Sequence, residues 1–288
     1  MMKKFCTFKK WVIIFLVGEM LYAESPSFIE GQLTGQLGNQ LFVIAATVSL
    51  ALDHDAIPVF PDFLFDKTNG IPLNFEKVFY HLNTTKPGDL YEYHEPFYHY
   101  APIPYIENMR LCGYFQSEKY FKHHKEEILE LFAPRLEIKE YIESKYKDLL
   151  LHPNIVSVHL RSYYDHDPSQ EVFIQYGKEY CEKAMTLFPE DTLFVVFSNK
   201  MEQCKKELAS INRPKVFIEC ESYYYDLYLM SLCKHNIICN SSFSWWAAYL
   251  NSNPEKIIVA PPRWYTPKSG LNDEDIVPEE WIRLRLDS

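Results

Sequence analysis

From Asn154 to Ala260, short apolar runs alternate with helical patterns. Strands are expected at 155–160, 192–197, 215–219, 236–239 and 256–260, with helices at 177–188, 199–209, 223–234 and 242–251 between them. Strands that alternate with helices are joined by crossovers, which make neighbouring strands parallel. This part of the chain is therefore constrained to an α/β fold with a helix-covered parallel sheet. In such sheets ligands occupy the crevice outside the carboxyl ends of the strands. The polar residues that terminate each apolar run are thus the first places to look for chemistry.

Two terminations stand out. Ile155, Val156 and Val158 read as a buried strand, and His159, Arg161 and Asp165 follow where it leaves the sheet. A guanidinium is a permanently charged planar fork suited to a pair of diphosphate oxygens; the alternative is a strand-end Arg paired with Asp165 or Asp167. The second is Cys239-Asn240-Ser241-Ser242-Phe243-Ser244-Trp245-Trp246, where small polar residues open an apolar helix. One such residue suffices as a cap. Several in a row, with the free N–H groups of a helix start, make a phosphate cradle. Simple capping beside a buried Trp pair is the alternative. Both stretches lie at the same end of parallel strands and are expected to converge on one diphosphate.

The preceding half is less regular. Phe28 and Ile29 lead into a glycine-rich turn, Gly35-Gln-Leu-Gly38-Asn39-Gln40, after which Leu41, Ile44, Ala45, Val48 and Leu52 repeat at helical spacing. Residues 57–60 read as a strand, and 62–115, rich in Pro, Tyr and His, as loops and short elements. Ser117 is the expected cap of a helix running to Phe132, ended by Pro134, and a second helix passes through Tyr141, Ile142 and Leu149. His152-Pro153-Asn154 marks the expected boundary, giving domains of 25–152 and 153–288.

The formal charge of −10 argues against nucleic acid or an anionic membrane surface as the main partner, while leaving room for a small anion held by a few local cations. Aromatic residues make up 16% of the chain and suit sugar faces, as well as ordinary packing. Residues 1–24 differ in kind: Lys3, Lys4, Lys9 and Lys10 precede an apolar run interrupted by Glu19. They read as a secretory signal or weak N-terminal anchor, which implies membrane association, or export if cleaved. The seven cysteines form no Cys-x-x-Cys pair and are expected as buried thiols.

Six motifs in order resemble the α-1,2-fucosyltransferases of glycosyltransferase family 11. They are Gly35-Gln-Leu-Gly38-Asn39-Gln40-Leu41-Phe42, Gly113 to Phe121, Val158-His-Leu-Arg161, Phe197-Ser-Asn, Asp226 to Asn236, and Asn240 to Trp246. The resemblance covers about Gly31 to Tyr265. It implies a GT-B type fold with two facing Rossmann-like domains, the first on the acceptor side and the second holding the donor. It also implies an inverting mechanism, GDP-fucose as donor, no cofactor or required metal, and a galactose-containing glycan acceptor. Carried over by position, His159 and Arg161 match the family's His-x-Arg, whose Arg grips the diphosphate. Gly38 and Asn39 match the turn bordering the cleft, and Ser241, Ser242 and Phe243 match the turn cradling the nucleotide. The usual His-x-Arg-Arg-Gly-Asp is altered here, since Ser162, Tyr163 and Tyr164 follow Arg161. In its single Arg the chain is similar to protein O-fucosyltransferases. Asp165 is the nearest acid and the candidate base.

Two other readings exist. Asp53-His54-Asp55 and Asp165-His166-Asp167 each spell Asp-x-Asp, a metal-binding pattern of other glycosyltransferases. The altered segment after Arg161 also fits a nucleotide-sugar or carbohydrate binder without catalysis, or a fucosyltransferase of different acceptor class.

Overall fold

The computed structural model describes residues 26–163 and 171–286. The leader, Asp165 and Asp167 lie outside the described residues. Among the described residues no helix is long and apolar enough to cross a membrane. The membrane-associated or exported location expected from residues 1–24 is corrected on that finding and is not carried further.

Two parallel sheets organise the chain. The first is formed by β1 (Phe28–Gly31), β2 (Ile57–Val59), β3 (Tyr91–His94) and β4 (Met109–Cys112), in the order β2-β1-β4-β3. Its last two strands fall inside the stretch expected to be loops and short elements. β3, Tyr-Glu-Tyr-His, is an edge strand with only Tyr93 partly buried, so it carries no apolar run to announce it. The remainder of that stretch is short: α2 (Asp62–Phe65), α3 (Ile71–Asn74) and a π-helical turn at Phe75–Phe79.

The helix expected from Ser117 to Phe132 is broken into two 3-10 turns, Glu118–Tyr120 and Lys122–His124, followed by α4 (Lys125–Leu131). Ser117 caps only the first turn, its Oγ accepting from the Lys119 N–H at 3.3 Å. Phe121 then leaves helical geometry at φ −144° and ψ 1°. Its ring is fully buried against Trp246, 5.4 Å away between centroids, and Phe42, 6.1 Å away. Burial of one large ring outweighs the small per-residue helix preference of its neighbours. Two further helices, α5 (Leu136–Lys145) and α6 (Lys147–Leu150), lead to the second sheet.

That sheet contains β5 (Ile155–Leu160), β6 (Leu193–Ser198), β7 (Lys215–Phe217), β8 (His235–Ile237), β9 (Ile258–Ala260) and β10 (Ile282–Arg283), in the order β10-β9-β8-β5-β6-β7. The helices α7 (Lys178–Met185), α8 (Met201–Leu208), α9 (Tyr223–Leu232) and α10 (Ser242–Tyr249) connect the first five strands, as the alternation required. β10 was not anticipated. It is two residues long and leans on β9 through the pairs Ile282–Val259 and Arg283–Ala260.

Alternation along β5 sets the site. Val156, Val158 and Leu160 pack into one apolar cluster with Tyr180 and Met185, whereas Ile155 belongs to the cluster on the other side. With a period of two, His159 and Arg161 follow Ile155 and Ser157 toward that other side. There α10 meets α1 (Leu37–Asp53), a helix buried almost all round and thus a core element rather than a surface one. Phe42 of α1 lies 4.5 Å from Trp245 and 5.1 Å from Trp246, with tilted and edge-on rings. The buried Trp pair expected from the sequence is therefore the joint between the two sheet systems.

Among the described residues six cysteines are free thiols, all buried except Cys220.

Candidate active site

A cleft of about 790 Å³ opens between the carboxyl ends of the second sheet and the start of α1. Its walls come from both halves of the chain: Gly38, Asn39, Tyr98, Tyr114 and Gln116 on one side, and His159, Arg161, Asp226 and Ser241 to Phe243 on the other. The two terminations singled out in the sequence thus face one space.

β5 aligns with β6 so that Leu160 sits opposite Ser198, which places Arg161 beside Asn199. Asn199 clamps the turn: its Oδ1 accepts from the Ser162 N–H at 2.8 Å, and its Nδ2 donates to the Ser162 carbonyl at 3.1 Å. Arg161 forms no ion pair with any described carboxylate, and it is the lone cation among the described residues lining the cleft. Its guanidinium lies 5.8 Å from the Tyr163 ring centre. Tyr163 stacks on Phe173 at 4.9 Å and donates its hydroxyl to the Asn240 carbonyl at 2.9 Å. Tyr163 therefore builds an aromatic wall that ties the β5 turn to the start of α10.

His159 is buried, its Nδ1 3.3 Å from the Cys239 thiol. Burial, reinforced by the Arg161 charge, pushes its pKa down to about 3. The Cys239 thiol is pushed up to about 12, chiefly by burial. Both groups are neutral at neutral pH, so among the described residues Arg161 alone supplies positive charge at this end of the cleft.

Ser241 is the N-cap of α10 in extended geometry, and its side chain makes no capping bond. The first-turn N–H groups of a helix have no intrahelical partner, so this helix start presents donors together with the positive end of its dipole. Phe243 stands 5.7 Å from the His159 ring. Gly38 and Asn39 border the cleft and also make its seam. Gly38 is already helical, and a Cβ there would lie 2.5 Å from the Phe243 nitrogen and 2.6 Å from the Ser242 carbonyl carbon. It permits backbone contact between two helix starts. The positive φ of the turn, +62°, belongs to Gly35 instead. Asn39 Oδ1 accepts from Ser242 Oγ at 2.6 Å and from Gln116 Nε2 at 2.8 Å.

Asp226, to which no role was assigned from the sequence, also lines the cleft. Its Oδ1 is buried without a hydrogen-bond partner among the described residues. Burial, with a smaller push from Glu221, raises its pKa to about 7. The available signal was its setting: it is the one acid in a helix otherwise made almost wholly of aromatic and aliphatic residues. A buried, unpaired carboxyl in a cleft is the kind of group that function explains better than stability.

Asp53-His54-Asp55 is not part of the described cleft lining, and Asp165-His166-Asp167 lies outside the described residues. Asp53 ends α1, and its carboxylate bonds His123 and His124. Asp55, at φ 50°, continues the turn.

Residues 31–285 match the profile of Glycosyl transferase family 11. The chain belongs to this family. It is 34% identical over 188 residues to an alpha-1,2-colitosyltransferase of Escherichia coli, a match covering 62% of this chain and 63% of that protein. It is 27% identical over 233 residues to the galactoside alpha-(1,2)-fucosyltransferase 2 of Oryctolagus cuniculus, covering 75% of this chain and 65% of that one. The chain thus spans slightly less than two thirds of each of these relatives. In structure it is similar to the NodZ alpha-1,6-fucosyltransferase, with a TM-score of 0.52 and 15% identity over 80% of this chain and 97% of the other. The fold is of the GT-B type.

Proposed function

We propose that this family 11 chain transfers fucose from GDP-fucose to a hydroxyl of a galactose-containing glycan, with inversion, as a galactoside 2-α-L-fucosyltransferase. The observation that carries the reading is Arg161, without a carboxylate partner among the described residues, facing the start of α10 across one cleft. In this reading the first sheet system holds the acceptor and the second the donor.

As the bond from fucose to the diphosphate breaks, negative charge grows on the leaving GDP and positive charge on the sugar. A fixed cation and helix N–H groups at the diphosphate stabilise that state more than the ground state. Neutral His159 orients the site through an imidazole nitrogen rather than through charge. The reading assigns no cofactor, and Asp165 remains the base candidate.

Asp226 is assigned to the guanine. α9 follows β7, two strands beyond β5 in the sheet, a lateral offset of about 10 Å. That separation suits a nucleoside lying across the strand ends with its diphosphate at Arg161. A carboxylate accepts from guanine N1–H and the exocyclic amine together.

Incubation with GDP-fucose and lactose, followed by detection of both GDP and fucosylated lactose, tests the reading. Binding of GDP without product across several galactosides would favour a binder that does not turn over. The similarity to a colitosyltransferase supports a second donor reading, in which the sugar is colitose, lacking the 3-hydroxyl of fucose. Competition between the two GDP-sugars decides between them.

A further inference from the structure

The cluster at the far end of α1 belongs to no part of the cleft. His123 Nε2 lies 3.0 Å from Asp53 Oδ2, and His124 Nε2 lies 2.9 Å from Asp53 Oδ1. The three potential ligand atoms all fall within 4.8 Å of one another. Adjacent residues usually point apart. Here the tight turn Lys122–His124 turns both imidazoles onto one carboxylate that is 70 residues away in sequence.

We infer that Asp53, His123 and His124 form a binding site for a divalent transition ion of the zinc class. Two imidazole nitrogens and one carboxylate oxygen are donors that zinc accepts, with bonds of about 2.0–2.2 Å, which place tetrahedral ligand atoms about 3.3 Å apart. The two nitrogen-to-carboxylate separations, 3.0 and 2.9 Å, are close to that edge length, and the two imidazole nitrogens lie within 4.8 Å of each other, so side-chain shifts of about 1 Å admit an ion. Magnesium and calcium favour all-oxygen sets and fit poorly. The cluster is open to solvent, with side-chain exposures of 46% for His123, 38% for Asp53 and 23% for His124, so water can complete the coordination. Ser49 Oγ is 3.2 Å from His123 Nε2, the ligating nitrogen, and would turn away as an ion enters. Glu127 Oε2, 4.0 Å from His124 Nδ1, faces the ring nitrogen that an ion would leave free.

The site is a staple rather than a catalytic centre. Asn39 and Asp53 stand at opposite ends of α1, about 21 Å apart at 1.5 Å per residue. The segment 116–124 touches α1 at both ends, through Gln116 at Asn39 and through the two histidines at Asp53. An ion at the far end therefore fixes the segment that presents Gln116 to the cleft. This inference does not depend on which donor is bound.

The test uses the untagged full chain, stripped with chelator and titrated with zinc chloride by calorimetry. One equivalent is expected to bind and to raise Tm. His124→Gln and the His123→Ala/His124→Ala double variant, each checked for folding by circular dichroism, are expected to bind more than tenfold more weakly and to lose the Tm rise. Cobalt(II) is expected to give visible bands in the wild type that both variants lack. His94→Ala is the control, because Glu92, His94 and Cys112 form a second cluster, in which Glu92 already accepts from Arg110. Binding equal in the wild type and the double variant, or lost only in His94→Ala, would overturn the inference.

Discussion

Ser242 Oγ donates to Asn39 Oδ1 across 2.6 Å, joining residues 203 apart at the starts of two helices that serve different sheets. Beside this bond, Gly38 lets the two backbones touch, and beneath it Phe42 packs on Trp245 and Trp246. The cleft is therefore not a gap between loosely tethered lobes. One wall of it is the seam itself.

Gly38→Ala tests the seam. The added methyl would sit 2.5–2.7 Å from backbone and hydroxyl atoms of Ser242 and Phe243, which cannot withdraw without moving α10. Overpacking of this kind costs about 1–3 kcal/mol. A lowered urea midpoint with weakened GDP binding is the expected result, whereas a variant as stable as the wild type would contradict the contact.

Arg161→Ala should cut transfer by about 10²–10³, the usual cost of one preorganised donor, with the fold retained by circular dichroism. Arg161→Lys keeps the charge but not the planar fork, and should recover only part of the loss. Steady-state rates with GDP-fucose and lactose measure both.

Tyr163→Gly removes the ring on Phe173 and the bond to the Asn240 carbonyl. Ring pairs contribute about 0.5–1.5 kcal/mol. Stability should fall by that order, and Arg161, having lost its aromatic neighbour, should bind GDP more weakly. Thermal melts with and without GDP separate the two effects.

Asp226 and His159 impose opposite pH dependences on stability. The Asp226 pKa is raised to about 7 from the carboxyl range by burial, so the folded state holds a proton the unfolded state releases. Its contribution is present below about pH 4 and is lost as pH rises toward 7. The His159 pKa is lowered to about 3, so its contribution is present above about pH 6.5 and is lost as pH falls toward 3. In Asp226→Asn only the histidine slope remains. Urea midpoints should then fall more steeply from pH 6.5 to pH 4 than in the wild type, and the variant should be the more stable at pH 8. Parallel curves would refute the burial assigned to Asp226. The same variant should lose the preference for GDP over inosine diphosphate, which lacks the exocyclic amine.

The five expected strands from 155 to 260 all appear: β5, β6, β8 and β9 are largely buried apolar runs bounded by polar turns, and β7 is a half-exposed edge strand beside β6. The short strands β3, β4 and β10 were not foreseen; β3 and β10 gain their place from a neighbour's open edge rather than from an apolar pattern of their own. Phe121 shows the same limit from the other side, as local helix preference yielded to a pocket made by residues far away in sequence.

The sequence by itself determined the parallel sheet, the family and the two polar stretches at Arg161 and Ser241, since periodicity and motif order are local properties carried by neighbouring residues. Only the tertiary structure decided that Gly38 is a contact glycine, that Asp226 Oδ1 is buried without a partner among the described residues, and that Asp53 faces two histidines rather than Asp55. Each of those depends on which atoms arrive from elsewhere in the chain, and burial and proximity are set by packing, not by spacing along the backbone.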